Sequence, residues 1–237
     1  MYSFESRIRY SEAGSDGKVT LLSLLNYFQD CAIFHSEDLG IGMEYLSKIQ
    51  GVWVMNSWQI DIERYPEIGE RVKIETHPYD FKLCLGSRNF GMRGEDGRRV
   101  AVATTLWTFL NTDTGRPMKP TEEMLEKYAI EPPYEMEYLE RKIAFEGEGE
   151  RPDPVEVKGH HLDTNRHVNN AQYVSIALDY LPEGFKVCRM RATYHKSAVL
   201  ADMLYPVVYK QKEGCVGVAL CDENASPYAN IEFCDRK

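Results

Sequence analysis

No C-x-x-C pair occurs among the six cysteines, Cys31, Cys84, Cys188, Cys215, Cys221 and Cys234. That argues against a structural zinc site and leaves reduced, mostly buried thiols as the expectation. No apolar run reaches the roughly 20 residues of a membrane span. The opening Met1-Tyr2-Ser3-Phe4-Glu5-Ser6-Arg7 also lacks the basic start and apolar stretch of a secretory signal. The expected location is therefore the cytoplasm. A basic excess is missing too: the formal net charge of −9 argues against a general nucleic-acid binder, because neutralising phosphates takes clustered Lys and Arg. There is no G-x-S-x-G elbow to hold a serine nucleophile, and no cofactor is expected.

What is present is the composition of a folded soluble protein, with 43% hydrophobic and 27% charged residues. The 237 residues suffice for one large domain or for two of about 100 to 150 residues each. Two basic groups stand out locally, Arg88, Arg93, Arg98 and Arg99 on one segment and Lys186, Arg189, Arg191 and Lys196 on another. They read first as solvated strand faces and second as a docking patch for an acidic partner.

Between residues 20 and 40, Leu21, Leu24, Leu25, Phe28, Ala32 and Ile33 recur at helical spacing, with Thr20 as cap and Gly40 as stop. Leu22, Tyr27 and Phe34 fill the other faces, which predicts a helix enclosed by sheet or by a partner helix. Strand-like segments follow at 52–62, 71–76, 84–93 and 100–111, separated by turn signals at 66–69, 95–97 and 113–115. Residues 118–153 change character: proline punctuates them and Glu and Lys dominate, so they read as a connector with a short helix at 122–128. The plan then repeats, with a helix at 171–181 and strands at 187–197, 203–210, 216–222 and 228–234. Tyr65-Pro66-Glu67-Ile68-Gly69-Glu70 and Ser197-Ala198-Val199-Leu200-Ala201-Asp202 match locally, each following a strand of similar length.

The densest chemistry lies in His160-His161-Leu162-Asp163-Thr164-Asn165-Arg166-His167-Val168-Asn169-Asn170, just ahead of the second helix. Asp163, Asn165 and His167 fall at alternate positions, so an extended backbone would turn a carboxylate, an amide and an imidazole to one side. That set suits water activation beside a carbonyl: Asp163 takes or holds the water, Asn165 orients it and His167 passes a proton. The helix start at Asn169 and Asn170 adds unpaired N–H groups and a positive dipole end that favour an oxyanion. The same residues also fit a purely structural role, with Asp163 and Asn165 building a turn and Asn169 or Asn170 capping the helix. For Asn170, capping is the preferred reading. His161-Leu162-Asp163 has the H-x-D form of a two-His-one-carboxylate iron site, to which His160, His167 or His195 could be added, but nothing else in the sequence supports a metal and none is expected.

Asp163-Thr164-Asn165-Arg166-His167-Val168-Asn169-Asn170, with Tyr173 after it, resembles the D-x-N-x-H-V-N-N-x-x-Y signature of acyl-acyl-carrier-protein thioesterases of the FatA and FatB type. The early helix, the strand leading into Pro66-Glu67-Ile68-Gly69-Glu70, and Trp107 fit the same family across nearly the whole chain. The resemblance implies an α+β fold of two tandem hotdog modules, each a long central helix wrapped by a curved antiparallel sheet, packed as a pseudo-dimer. The divisions are then 1–130 for a first module housing the acyl chain, 131–155 for a connector and 156–237 for a second module carrying the polar run. It implies hydrolysis of a fatty acyl-acyl-carrier-protein thioester in fatty acid metabolism, with Asp163, Asn165 and His167 as the hydrolytic residues and acyl carrier protein as partner. A homodimer stays open. The first helix around residues 21–26 has neither acid nor histidine, so one site per chain is expected.

The sequence departs from the family at one position. Where the family reads Tyr-x-Lys-Glu after the second helix, with the Glu as a second carboxylate, this chain reads Tyr194-His195-Lys196-Ser197. Asp163 as sole carboxylate, another acid in its place, or Ser197 holding the water all remain open, and a contact between Ser197 and His195 reads as an ordinary surface pair. The alternatives to the main reading are an acyl-CoA thioesterase or hotdog dehydratase, and a non-catalytic acyl-chain binder.

Overall fold

Residues 1–211 and 214–235 are described in a computed structural model. In chain order the elements are β1 (Tyr2–Arg7), α1 (Leu21–Asp38), α2 (Met43–Lys48), β2 (Gly51–Ile62), β3 (Arg71–Lys82), β4 (Leu85–Gly94), β5 (Arg99–Asn111) and α3 (Glu122–Lys127). There follow β6 (Val155–Glu156), α4 (Asn170–Leu178), β7 (Val187–Tyr194), β8 (Met203–Lys210), β9 (Cys215–Cys221) and β10 (Pro227–Asp235). They divide into two units, one of Met1–Asn56 with Ile62–Tyr138, the other of Ser57–Asp61 with Leu139–Lys237. The strands foreseen from the sequence are all present; β1, β6 and α2 are additions.

In the first unit the Thr20 side chain accepts from the Ser23 N–H at 3.1 Å and starts α1. Leu21, Leu24, Leu25, Phe28, Cys31 and His35 form its buried stripe, whereas Ile33 and Phe34 are 49% and 44% exposed. The helix is therefore amphipathic and is not enclosed on every side, contrary to the expectation from its greasy sequence. β3 runs antiparallel between β1 and β4, and β5 flanks β4, with Phe4 opposite Ile74 and Phe90 opposite Ala103.

Along β4, Arg88, Phe90 and Met92 alternate with Asn89 and Gly91, and both sets are buried. One face meets α1, where Phe28 packs on Phe90 with ring centroids 5.4 Å apart. The other face is covered by residues 131–138: Asn89 Oδ1 accepts from the Tyr134 N–H and the Tyr138 hydroxyl, and Arg99 donates to the Glu135 carbonyl. The start of the stretch read as a connector is thus a strap bonded to the first sheet.

The second unit has the strand order β7-β10-β9-β8-β6, and residues 57–61 of β2 pair antiparallel with β7, Ile60 opposite Met190. α4 contacts β9 and β10. It is half the length of α1 and ends at Leu178, three residues before the expected stop.

Two expectations fail here for reasons of packing. Arg88 is not on a solvated face: it is buried, with Nη1 bonded to His35 Nδ1 and Thr76 Oγ1. Most of the remaining basic residues are ion-paired, Arg93 with Glu75, Arg99 with Glu63, Arg189 with Asp61, Arg191 with Glu232 and Lys196 with Asp222. Nor are all the thiols reduced. β9 and β10 set Cys215 directly opposite Cys234, Cα to Cα 4.1 Å, and the two form a disulfide. Strand register brings them together, and their sequence spacing gave no sign of it. Cys31, Cys84, Cys188 and Cys221 are free.

Candidate active site

The polar run folds back on itself. A single 3₁₀ turn, Gly159–His161, leads into an antiparallel bridge between Leu162 and Val168, and the chain reverses between them. The Asp163 N–H donates to the His167 carbonyl at 2.8 Å, and the Arg166 N–H to the Asp163 carbonyl at 3.1 Å. Asp163 Oδ1 accepts the N–H groups of Asn165 (2.8 Å) and His167 (3.2 Å). A carboxylate one bond from Cβ reaches these two otherwise unpaired donors, which is why Asp suits this reversal.

This overturns the expected extended backbone, so Asp163, Asn165 and His167 do not share a strand face. They are instead the base, tip and return arm of one turn. Asp163 is half-buried, and Asn165 and His167 are exposed. Among the described residues Asp163 Oδ2 accepts no hydrogen bond, and neither the Asn165 nor the His167 side chain makes one.

α4 begins immediately after the turn. Asn169 caps it, its Oδ1 accepting from the Ala171 N–H at 2.9 Å. The cap is therefore Asn169, not Asn170, which is the first helical residue and whose carbonyl accepts the Tyr194 hydroxyl at 2.9 Å. The Asn169 amide oxygen is thus committed to the helix. The Ala171 N–H is taken by that oxygen and the Gln172 N–H by the Asn169 carbonyl, so the dipole end of the helix is what remains to favour an anion.

Ser197 is brought to the same place. His167 bridges Val199, and the Val168 N–H donates to the Ala198 carbonyl at 2.9 Å, so residues 197–199 run antiparallel to 167–169 with Ser197 opposite Asn169. β7 stops at Tyr194, three residues short of the strand expected, and Ser197 belongs to the turn that follows. His195 does not bond to Ser197; its Nε2 lies 3.5 Å from Thr193 Oγ1 and 3.4 Å from Asn230 Nδ2. Burial, then the charge of Arg141, pulls its pKa down. His161 is also spoken for: Nδ1 accepts the Lys158 N–H at 3.1 Å, and the ring meets that of His160 at 4.2 Å.

Tyr173 and Tyr194 were not singled out as site residues by sequence. Tyr173 is 2% exposed, and its hydroxyl accepts the Ala198 N–H at 2.8 Å. Burial pushes its pKa up to about 12, so it stays a neutral hydroxyl. Its ring lies 5.9 Å from that of Tyr194, whose pKa burial also raises. Its place as the last residue of the D-x-N-x-H-V-N-N-x-x-Y signature was the sequence clue to Tyr173.

The first unit contains a twin of this turn. There a 3₁₀ turn (Tyr10–Glu12), a bridge between Ala13 and Val19, a reversal and the cap Thr20 repeat the arrangement of Gly159–His161, Leu162, Val168 and Asn169, always 149 residues apart. The Gly14 N–H donates to the Lys18 carbonyl as Asp163 does to His167, and the Val19 N–H to the Pro66 carbonyl as Val168 does to Ala198. The counterpart of the polar run is therefore residues 11–21, not the stretch at 21–26 compared from sequence. It carries Gly14, Asp16 and Lys18 where the second unit has Asp163, Asn165 and His167. The left-handed positions differ as well: Gly17 (φ 74°) and Gly69 (φ 83°) correspond to Arg166 (φ 62°) and Ala201 (φ 69°). The second unit thus places residues with a Cβ where that conformation costs roughly 1–2 kcal/mol each.

Comparison with known proteins supplies relatives for this arrangement. The family model described as the acyl-ACP thioesterase N-terminal domain matches residues 1–128, and that described as the C-terminal domain matches residues 148–204. Oleoyl-acyl carrier protein thioesterase 1, chloroplastic, of Arabidopsis thaliana is 26% identical over 204 residues, which cover 74% of this chain and 53% of that protein. Palmitoyl-acyl carrier protein thioesterase, chloroplastic, of Gossypium hirsutum is 27% identical over 203 residues, 77% of this chain and 47% of that one. The chain spans about half the length of these curated relatives. In fold it is similar to an acyl-ACP thioesterase of Bacteroides thetaiotaomicron (TM-score 0.91, 20% identity, 99% and 97% of the two chains). The 12:0-ACP thioesterase of Umbellularia californica is likewise similar (TM-score 0.86, 20% identity, 99% and 96%).

Proposed function

The chain belongs to the acyl-ACP thioesterase family, and on that premise we propose that it hydrolyses fatty acyl-acyl-carrier-protein thioesters to free fatty acid and carrier-protein thiol at the turn of residues 163–169. The observation that carries this reading is the state of the Asp163 carboxylate. Oδ1 is held by two backbone N–H groups, which fixes the group, while Oδ2 accepts nothing from the described residues. A carboxylate so oriented can hold a water and take its proton as the water oxygen attacks the thioester carbonyl. The positive dipole end of α4, which starts at this turn, favours the negative charge that develops on the carbonyl oxygen, and such fixed electrostatics cost no reorganisation during the reaction. His167, exposed on the return arm, can protonate the departing thiolate, and Asn165 at the tip can orient the water. Collapse of the tetrahedral species breaks the C–S bond and leaves the fatty acid. We assign Ser197, opposite Asn169, to the position of the family's second carboxylate, where its hydroxyl can donate to the same water.

The experiment is a hydrolysis panel over carrier-protein thioesters of different acyl length, with the matching CoA thioesters beside them. Turnover of carrier-protein substrates above the CoA series is the expected result. Equal or better turnover of the CoA series would transfer the protein to the CoA thioesterases, and no turnover of either would leave it an acyl-chain binder.

A further inference from the structure

The second unit carries a buried backbone donor where the first carries proline. In each unit the residue before the helix cap donates its N–H to the crossing turn, Val19 to the Pro66 carbonyl at 2.8 Å and Val168 to the Ala198 carbonyl at 2.9 Å. Pro66 has no N–H to satisfy. Ala198 has one, and the residue is wholly buried. Four residues beyond the cap, α1 has the buried apolar Leu24 and α4 has Tyr173, whose hydroxyl takes that N–H at 2.8 Å. Leu24 and Pro66 thus occupy in the first unit the positions of Tyr173 and Ala198 in the second, apolar in the unit without the polar run and hydrogen-bonded in the unit that has it.

We propose that Tyr173 is a positioning residue, gripping the Ala198 amide so that Ser197 and Val199 are held against Asn169 and His167. The peptide groups on both sides of Ala198 are then fixed, its carbonyl by the Val168 N–H and its N–H by the Tyr173 hydroxyl. Tyr194, bonded to the Asn170 carbonyl, holds the helix start but touches neither of those groups. Losing the Tyr173 hydroxyl leaves an unpaired buried donor, which the turn relieves by shifting toward water and taking Ser197 with it. The inference rests on the reading of this turn as a hydrolytic site.

The test uses Y173F and the double variant Y173F/A198P, which reproduces the proline of the first unit. In Y173F, kcat on the best carrier-protein substrate is expected to fall at least tenfold with KM changed less than threefold, and the Ala198 amide to lose its protection from hydrogen exchange. The double variant removes the orphaned donor and is expected to recover the melting temperature and most of kcat. A full kcat in Y173F overturns the proposal. So does a double variant that regains its melting temperature but not its kcat, because the hydroxyl would then act on the reaction directly. A wild type that hydrolyses no acyl thioester defeats the functional reading instead, independently of what the Ala198 amide does.

Discussion

Lowering the pH from 7 to 4 should destabilise this protein through His35. Its ring lies under α1 with Nδ1 3.0 Å from the buried Arg88 guanidinium, stacks on Tyr2 at 5.2 Å and meets the Tyr128 ring edge-on at 5.5 Å. An imidazole accepting from a guanidinium must be neutral. Burial, then the charges of Arg88 and the Met1 amino group, depress its pKa from 6.5 to about 4, while Asp38 and Glu131 oppose the shift without reversing it. The unfolded chain therefore takes up a proton near pH 6.5 that the folded one refuses until about pH 4. Stability from this group is complete above pH 6.5 and is lost as pH falls through that window. At about 1.4 kcal/mol per pH unit of displacement, the whole loss is about 3 kcal/mol, a large share of a typical stability of about 5–15 kcal/mol. Urea unfolding at pH 7, 6, 5 and 4 measures it, with H35Q as reference because Gln offers a neutral acceptor that does not titrate. Taking the difference between the two proteins cancels the carboxylates they share. The wild-type advantage is expected to shrink by about 3 kcal/mol between pH 7 and pH 4. A difference that stays flat across that range refutes the reasoning.

Three further outcomes follow from the same geometry. R166G, which gives the second turn the residue of its twin, relieves a left-handed Cβ and should raise unfolding stability by about 1 kcal/mol in urea titration. N169A removes the cap of α4 and should cost about 1 kcal/mol, whereas N169D should cost little. Reduction of Cys215–Cys234, or C215S, reopens a loop closed over a separation of 19 residues and should lower stability by about 3 kcal/mol, read as a shift in the urea midpoint with and without reductant.

Much of the fold was legible because periodicity reports it. The α1 stripe and eight of the strands were readable from spacing and turn residues, and β8 (Met203–Lys210) was placed to the residue. β1 was missed because only Tyr2 and Phe4 of its six residues are of core type, and the strand is secured by pairing with β3. The polar run was singled out as a group from its composition, but its geometry was not readable. Alternation at 163, 165 and 167 says extended only if nothing else claims the backbone, and the Asp163 carboxylate claims two of its N–H groups. Long-range facts were out of reach altogether. No sequence pattern paired Cys215 with Cys234, buried Arg88 beside His35, or joined Tyr173 to Ala198, because each depends on register or crossing between elements far apart in the chain.

In the proposed reaction the Asp163 carboxylate activates the water that cleaves the acyl thioester. D163N keeps an oxygen for the Asn165 and His167 N–H groups and removes only the charge, so its steady-state hydrolysis of the preferred acyl-acyl-carrier-protein thioester is the most direct measurement. A kcat lower by about 100-fold or more, the range of a lost general base, is expected at an unchanged melting temperature. A D163N protein that hydrolyses the thioester at the wild-type rate contradicts that role of the carboxylate.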